Sequence, residues 1–159
     1  MRSLLSTVAL GLGAGLAAAF VMDRFQALAA PPLGLDKGND DPATVKAADS
    51  VSRAVEGRPV TQKNRRRAGS AVHYGVGAAL GLGYVAAAER WPETATGFGL
   101  PFGALTMLLL DDLLVPAAGW GPWPEAEAKG NLYTLGSHLV FAGTVEGVRR
   151  GAGALLDRD

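Results

Sequence analysis

Five side chains able to do acid–base or metal chemistry interrupt stretches that are otherwise apolar: Asp23, His73, Asp111, Asp112 and His138. An ionisable group at membrane depth is costly unless it is paired, hydrated or functional. These five therefore define the chemistry the chain can host. Imidazole and carboxylate ligate zinc, iron or manganese, and His73, His138, Asp111 and Asp112 could fill a coordination shell. The same groups could relay protons, because histidine titrates near neutrality and burial raises carboxylates toward it. The third reading is a network of interhelical hydrogen bonds, with each histidine donating to an aspartate and Arg24 neutralising another. Such contacts contribute about 1 kcal/mol or less, and leaving the groups unpaired costs more. Neighbouring residues on a helix point about 100° apart, so only one of Asp111 and Asp112 faces inward easily.

The elements that must position these groups are four apolar segments, at about 3–28, 68–89, 97–118 and 132–150. Apolar residues make up 48% of the chain, which alone would fit a soluble protein. Their distribution decides, because polar residues concentrate in 31–67 and near the ends. The first segment is free of charge from Ser3 to Met22, about what a span needs. Arg2 and the small residues near Ala29 resemble a signal peptide, but the run exceeds an ordinary h-region and Asp23-Arg24 fits a cleavage region poorly. A retained helix is the expectation. Gly11, Gly15 and Ala19 give it a small-residue face for tight packing. Gly77, Gly81 and Gly83, and Gly136, Gly143 and Gly147, supply glycines to the second and fourth segments. Pro31-Pro32 is expected to end the first helix, Pro101 to lie in the first turns of the third, and Pro116 to bend or end it. Asn131 is a candidate cap for the fourth, and 151–159 reads as a short polar tail.

The connection 31–67 carries a short amphipathic helix at 43–56, with Asp41-Pro42 as N-cap and first residue. It fits either the membrane surface or the protein's own helix ends. Lys37, Lys46, Arg53, Arg58, Lys63, Arg65, Arg66 and Arg67 lie in this connection, and Lys129 lies after the third segment. The opposite side has Arg2, Arg90, Arg149, Arg150 and Arg158. The positive-inside rule places 31–67 in the cytoplasm and both termini outside. The basic run 65–67 reads as a topology anchor. Trp91, Trp120 and Trp123 fall where interfacial aromatics belong.

Antiparallel helices turn sequence position into depth. Asp23, His73, Asp111, Asp112 and His138 each lie about four to six residues from a helix end on the 31–67 side. At ~1.5 Å per residue they share one layer roughly 6–10 Å below that face. Glu89, Glu146 and Arg149 fall near the opposite face. There Glu146 and Arg150 form an i, i+4 pair, and Glu89 is a candidate partner for Arg149.

The residues Met22-Asp23-Arg24, His73-Tyr74-Gly75 with Gly81 and Tyr84, Glu89, Asp111-Asp112 with Pro116, and His138 with Gly143 and Glu146 follow one another along the chain. In that order the chain resembles the YagU-like family of small bacterial inner-membrane proteins. The resemblance implies a membrane protein with a tie to acid stress, and no catalytic residues to carry over.

The fold expectation is therefore all-α: an integral membrane four-helix bundle, one domain over 1–159. It would lie in a bacterial inner membrane, with the lipid bilayer as first partner and a homo-oligomer or membrane-protein partner as the next. The 22 glycines, roughly twice an average share, fit close helix approach. Zero net charge gives no pull toward nucleic acid, and the absence of cysteine excludes disulfides and thiolate metal sites. No cofactor is expected, with a metal ion the one allowed by the donor set. Three functions compete. One is proton or small-solute movement, or envelope homeostasis, through the His/Asp layer. Another is an accessory subunit scaffolding a larger membrane complex. The last is a metal-dependent enzyme acting on lipid. Two histidines are too few for a histidine-rich di-iron site, and no nucleophile elbow, phosphate loop or zinc-protease motif is present, so a non-enzymatic role leads.

Overall fold

A computed structural model describes residues 3–35, 41–124 and 128–156. Arg2, Lys37 and Arg158, used in the charge asymmetry, lie outside the described residues, as does the end of the tail. The first helix, α1 (Leu4–Leu33), is capped by Ser3, whose side chain accepts the Ser6 N–H at 3.2 Å. Helix α2 spans Ala43–Glu56 and α3 spans Arg65–Arg90. A 3-10 segment, Pro92–Gly99, leads into α4 (Leu100–Leu109). A π-helical turn, Leu110–Leu114, follows, then a short α5 (Val115–Ala117) and finally α6 (Ala128–Leu156). No strand occurs among the described residues.

Three helical stretches have the length and apolarity of membrane spans: Leu4–Leu33, Gln62–Arg90 and Pro92–Ala117. Only 33%, 28% and 22% of their most apolar stretches are buried inside the protein, so most of their apolar surface faces outward. A helix apolar on all sides and not covered by protein is what a bilayer stabilises. α6 is as long, but His138, Glu146 and Arg149-Arg150 lower its hydropathy, and it does not reach the same standard.

Four expectations need correction. Pro31-Pro32 does not end α1. Proline's fixed φ suits a helix, and the helix runs through both to Gly34, which takes φ 70° and donates its N–H to Ala30 and Pro31. Asp41 does not cap α2, because its carboxylate is drawn to Arg65, and Pro42 occupies the cap position. Asn131 is not a cap, since α6 already begins at Ala128 and encloses it. The segment after Gly151 is not a tail, because α6 continues to Leu156.

The core is built on small residues. α1 packs between α3 and α6, and α4 packs chiefly on α6. A Cβ on Gly15 would lie 2.2 Å from the Gly77 carbonyl oxygen, and one on Gly81 would lie 2.4 Å from the Gly15 Cα. Backbone therefore touches backbone along Gly11, Gly15, Gly77 and Gly81, as the small-residue face anticipated. Gly83 has open space instead. Around this contact Ala14, Ala18, Ala19, Tyr84, Val85, Phe141 and Val145 are buried.

Candidate functional site

Local structure places each acidic and basic group. Pro116 has no N–H for the carbonyl four residues back, and the preceding turn widens. Val115 donates its N–H to Leu110, five residues back, instead of to Asp111. The wide turn carries Asp111 and Asp112. Gly103 allows α4 to lie directly on the backbone of α6, because a Cβ there would be 2.7 Å from the His138 carbonyl oxygen. Across this contact His138 Nε2 donates to Asp111 Oδ2 at 2.8 Å. The second pair lies between α3 and α1. His73 Nε2 is 3.2 Å from Asp23 Oδ1 and 3.3 Å from the Ala19 carbonyl oxygen. Both neighbours are acceptors, so this ring also carries its proton on Nε2. Tyr74 donates to the other Asp23 oxygen at 2.9 Å.

The two pairs share one cavity of about 720 Å³. Asp23, His73, Asp111 and His138 all line it, and α2 with Trp120 roofs its polar end. Asp112 does not line it, so of the two adjacent aspartates Asp111 alone turns inward. Arg24 does not join either pair in the way expected. Its guanidinium lies over the Phe20 ring, 5.3 Å from the centroid. Of the four metal candidates, His138 and Asp111 form one pair, His73 belongs to the other and Asp112 to neither, and no group of three such donors converges among the described residues. The roof is held by Arg65, which bonds both Asp41 and Asp49. Trp120 Nε1 donates to Ser50 at 2.9 Å, and the Val60 N–H donates to Asp49 at 2.9 Å. α2 thus packs on the protein's own helix ends, with Val45 and Ala48 inward and Val51 and Val55 exposed.

A second polar cluster closes the opposite end. Glu146 was expected near an exposed end, but it is 0% exposed. Tyr84 donates to it at 3.0 Å, Arg149 at 2.6 and 2.8 Å, and Arg150 at 2.6 Å. Thr7 on α1 donates to Glu89 at 2.6 Å. Eight residues, about 12 Å of helix, separate His138 from Glu146. The stretch between them holds buried Phe141, Ala142 and Val145. The arrangement is a cavity with a polar, roofed end and apolar deeper walls, separated by an apolar plug from the ion-paired cluster at the other end.

Sequence reasoning missed Tyr74, Tyr84, Arg65 and Trp120 as members of these clusters. The sequence offers Tyr74 and Tyr84 only as members of the family pattern, Arg65 as part of a topology anchor and Trp120 as an interfacial aromatic. Comparison with family models, with curated proteins and with solved structures returns no match to this chain.

Proposed function

We propose that this protein is a four-crossing bundle of a bacterial inner membrane, akin to the YagU-like family, that moves protons or a small solute through its His/Asp layer. In this reading α6 crosses with the other three, 31–67 faces the cytoplasm and the termini face outward. The observation that carries it is the convergence of two His–Asp pairs from four helices on one cavity. Histidine hydrogen-bonded to carboxylate can pass a proton without moving a heavy atom far, and intramembrane groups of this kind mark such paths. The ion-paired cluster at Glu146 closes the bundle at the opposite end from the cavity.

The test is a proton flux assay in liposomes containing a pH-sensitive dye. An imposed gradient is expected to collapse faster with the protein than in empty vesicles. His138→Ala and Asp111→Asn are expected to slow that collapse at least tenfold. Equal rates with and without protein would overturn the reading.

A second reading, as an accessory subunit, is favoured by one observation. Gly143, Gly147 and Gly151 repeat every fourth residue on α6 and meet nothing within 4 Å. A smooth stripe of this spacing suits the close approach of another membrane helix. A stoichiometric partner, or a second copy, that is lost on Gly147→Leu would support it. A monomer purified alone would count against it.

A further inference from the structure

The cavity separates α3 from the π turn that follows α4. α3 lines it on one side and the π turn after α4, with Val115, on the other, and that turn packs on α4 and α5 rather than on α3. Val76 on α3 and Leu114 after α4 mark its rims. Each lines the cavity and is also exposed on the outside of the bundle, at 41% and 48%. In a bilayer such a gap faces the acyl chains. Its deeper walls are apolar, with Val72, Leu80, Leu110 and Phe141 among them.

The mouth has unspent cationic capacity. Arg65 gives its terminal nitrogens to Asp41 and Asp49, but its buried Nε finds no acceptor. Arg66 also lines the mouth, is exposed, and has no partner among the described residues. The carboxylates are already answered, Asp41 and Asp49 by Arg65, Asp23 by His73 and Tyr74, and Asp111 by His138, none of them by Arg66. Among the described residues, Arg66 is thus the cation without a counter-ion at the roofed end, above an apolar slot that opens sideways. An anion on an acyl chain satisfies both features, since guanidinium suits phosphate geometry.

We infer that the cavity binds one anionic phospholipid of the surrounding leaflet, with its phosphate at Arg66 beside the Arg65 Nε and a chain laid between α3 and the π turn after α4. The inference rests on the cavity of the proposed function and names its occupant. It does not rest on proton movement.

The test uses the full chain reconstituted in phosphatidylcholine with a minority of phosphatidylglycerol, then released in mild detergent. Retained lipid is read by native mass spectrometry. One phosphatidylglycerol per chain is expected, in preference to the more abundant neutral lipid. Arg66→Ala is expected to reduce its retention at least tenfold. Val76→Trp and Leu114→Trp, which fill the slot from opposite rims, are expected to do the same with both arginines intact. Leu108→Trp, outside the cavity, is expected to leave retention unchanged, and circular dichroism confirms that each variant is folded. Retention in proportion to the bulk lipids, or retention indifferent to Arg66 and to both rim variants, would overturn the inference. Displacement by inorganic phosphate alone would also overturn it, because the site would then be one for a free anion. Lipid retained without proton flux defeats only the flux reading, and flux without retained lipid defeats only this one.

Discussion

A carboxylate with no exposed surface needs its oxygens answered, and Glu146 receives four hydrogen bonds from Tyr84, Arg149 and Arg150. Removing it would leave two guanidinium groups beside an apolar core. Breaking a buried pair from one side costs about 3–5 kcal/mol. Arg149 and Arg150 keep 22% and 53% exposure, so they recover part of that from solvent and the lower end applies. Glu146→Leu is expected to lower stability by about 3 kcal/mol, read from reversible unfolding in mixed micelles. Glu93→Gln, on an exposed turn, is expected to leave the same curve within error. A loss no larger for Glu146→Leu than for Glu93→Gln would show that the cluster does not hold this end closed. The histidine and aspartate members of the cavity were legible in the sequence because their depth follows from counting residues on antiparallel helices. The tyrosines were not. Tyr74 reaches Asp23 and Tyr84 reaches Glu146 through helix rotation and side-chain length, which counting does not give.

Between elements, the contact that decides the fold is backbone on backbone. At Gly81 an added Cβ would strike the Gly15 Cα, and no side chain is present there to move aside. Gly81→Val must therefore push α1 from α3, at a cost of about 1–3 kcal/mol or more. Gly83→Ala, with open space around it, should gain about 0.5–1 kcal/mol from helix propensity. Thermal unfolding of the pair checks both signs, and similar shifts in one direction would refute this packing. Pro116 acts at the same scale. Pro116→Ala restores an N–H, and the turn at Leu110–Leu114 is expected to revert toward α-helix. Losing one residue of register there rotates Asp111 away from His138. The imidazole resonances of His138 should then shift while those of His73 stay, and unchanged spectra would show that proline does not set the turn. The sequence marked Pro116 as a bend without indicating a π turn, because the turn depends on which carbonyl finds a donor. Helix ends were misjudged for a related reason. The fate of Asp41 was decided by Arg65, twenty-four residues on, and not by its neighbours.

At the scale of the molecule, the open question is whether α6 crosses with the other three. Its middle packs on α1 and α4, and Ser137, Ala142, Val145 and Glu146 are buried by those contacts. A helix held in the bundle this way, about 44 Å long at 1.5 Å per residue, cannot stop midway without leaving backbone groups unpaired in hydrocarbon. In the proposed four-crossing reading, packing carries α6 across even though its polar residues lower its own hydropathy. The chain has no cysteine, so single cysteines can be introduced without background. Glu56→Cys on α2 and Gly119→Cys after α5 lie on the roofed side. Glu93→Cys and Gly151→Cys lie on the sealed side. In intact cells a membrane-impermeant maleimide is expected to label Glu93→Cys and Gly151→Cys, and to reach the other two only after the membrane is opened. That result would agree with basic residues 63–67 being held in the cytoplasm. The reverse pattern would invert the orientation but keep four crossings. Labelling of Gly151→Cys together with Glu56→Cys would leave α6 on one side of the membrane. The cavity would then lack a lipid-enclosed wall at His138, and both the flux reading and the lipid slot would lose the helix they share.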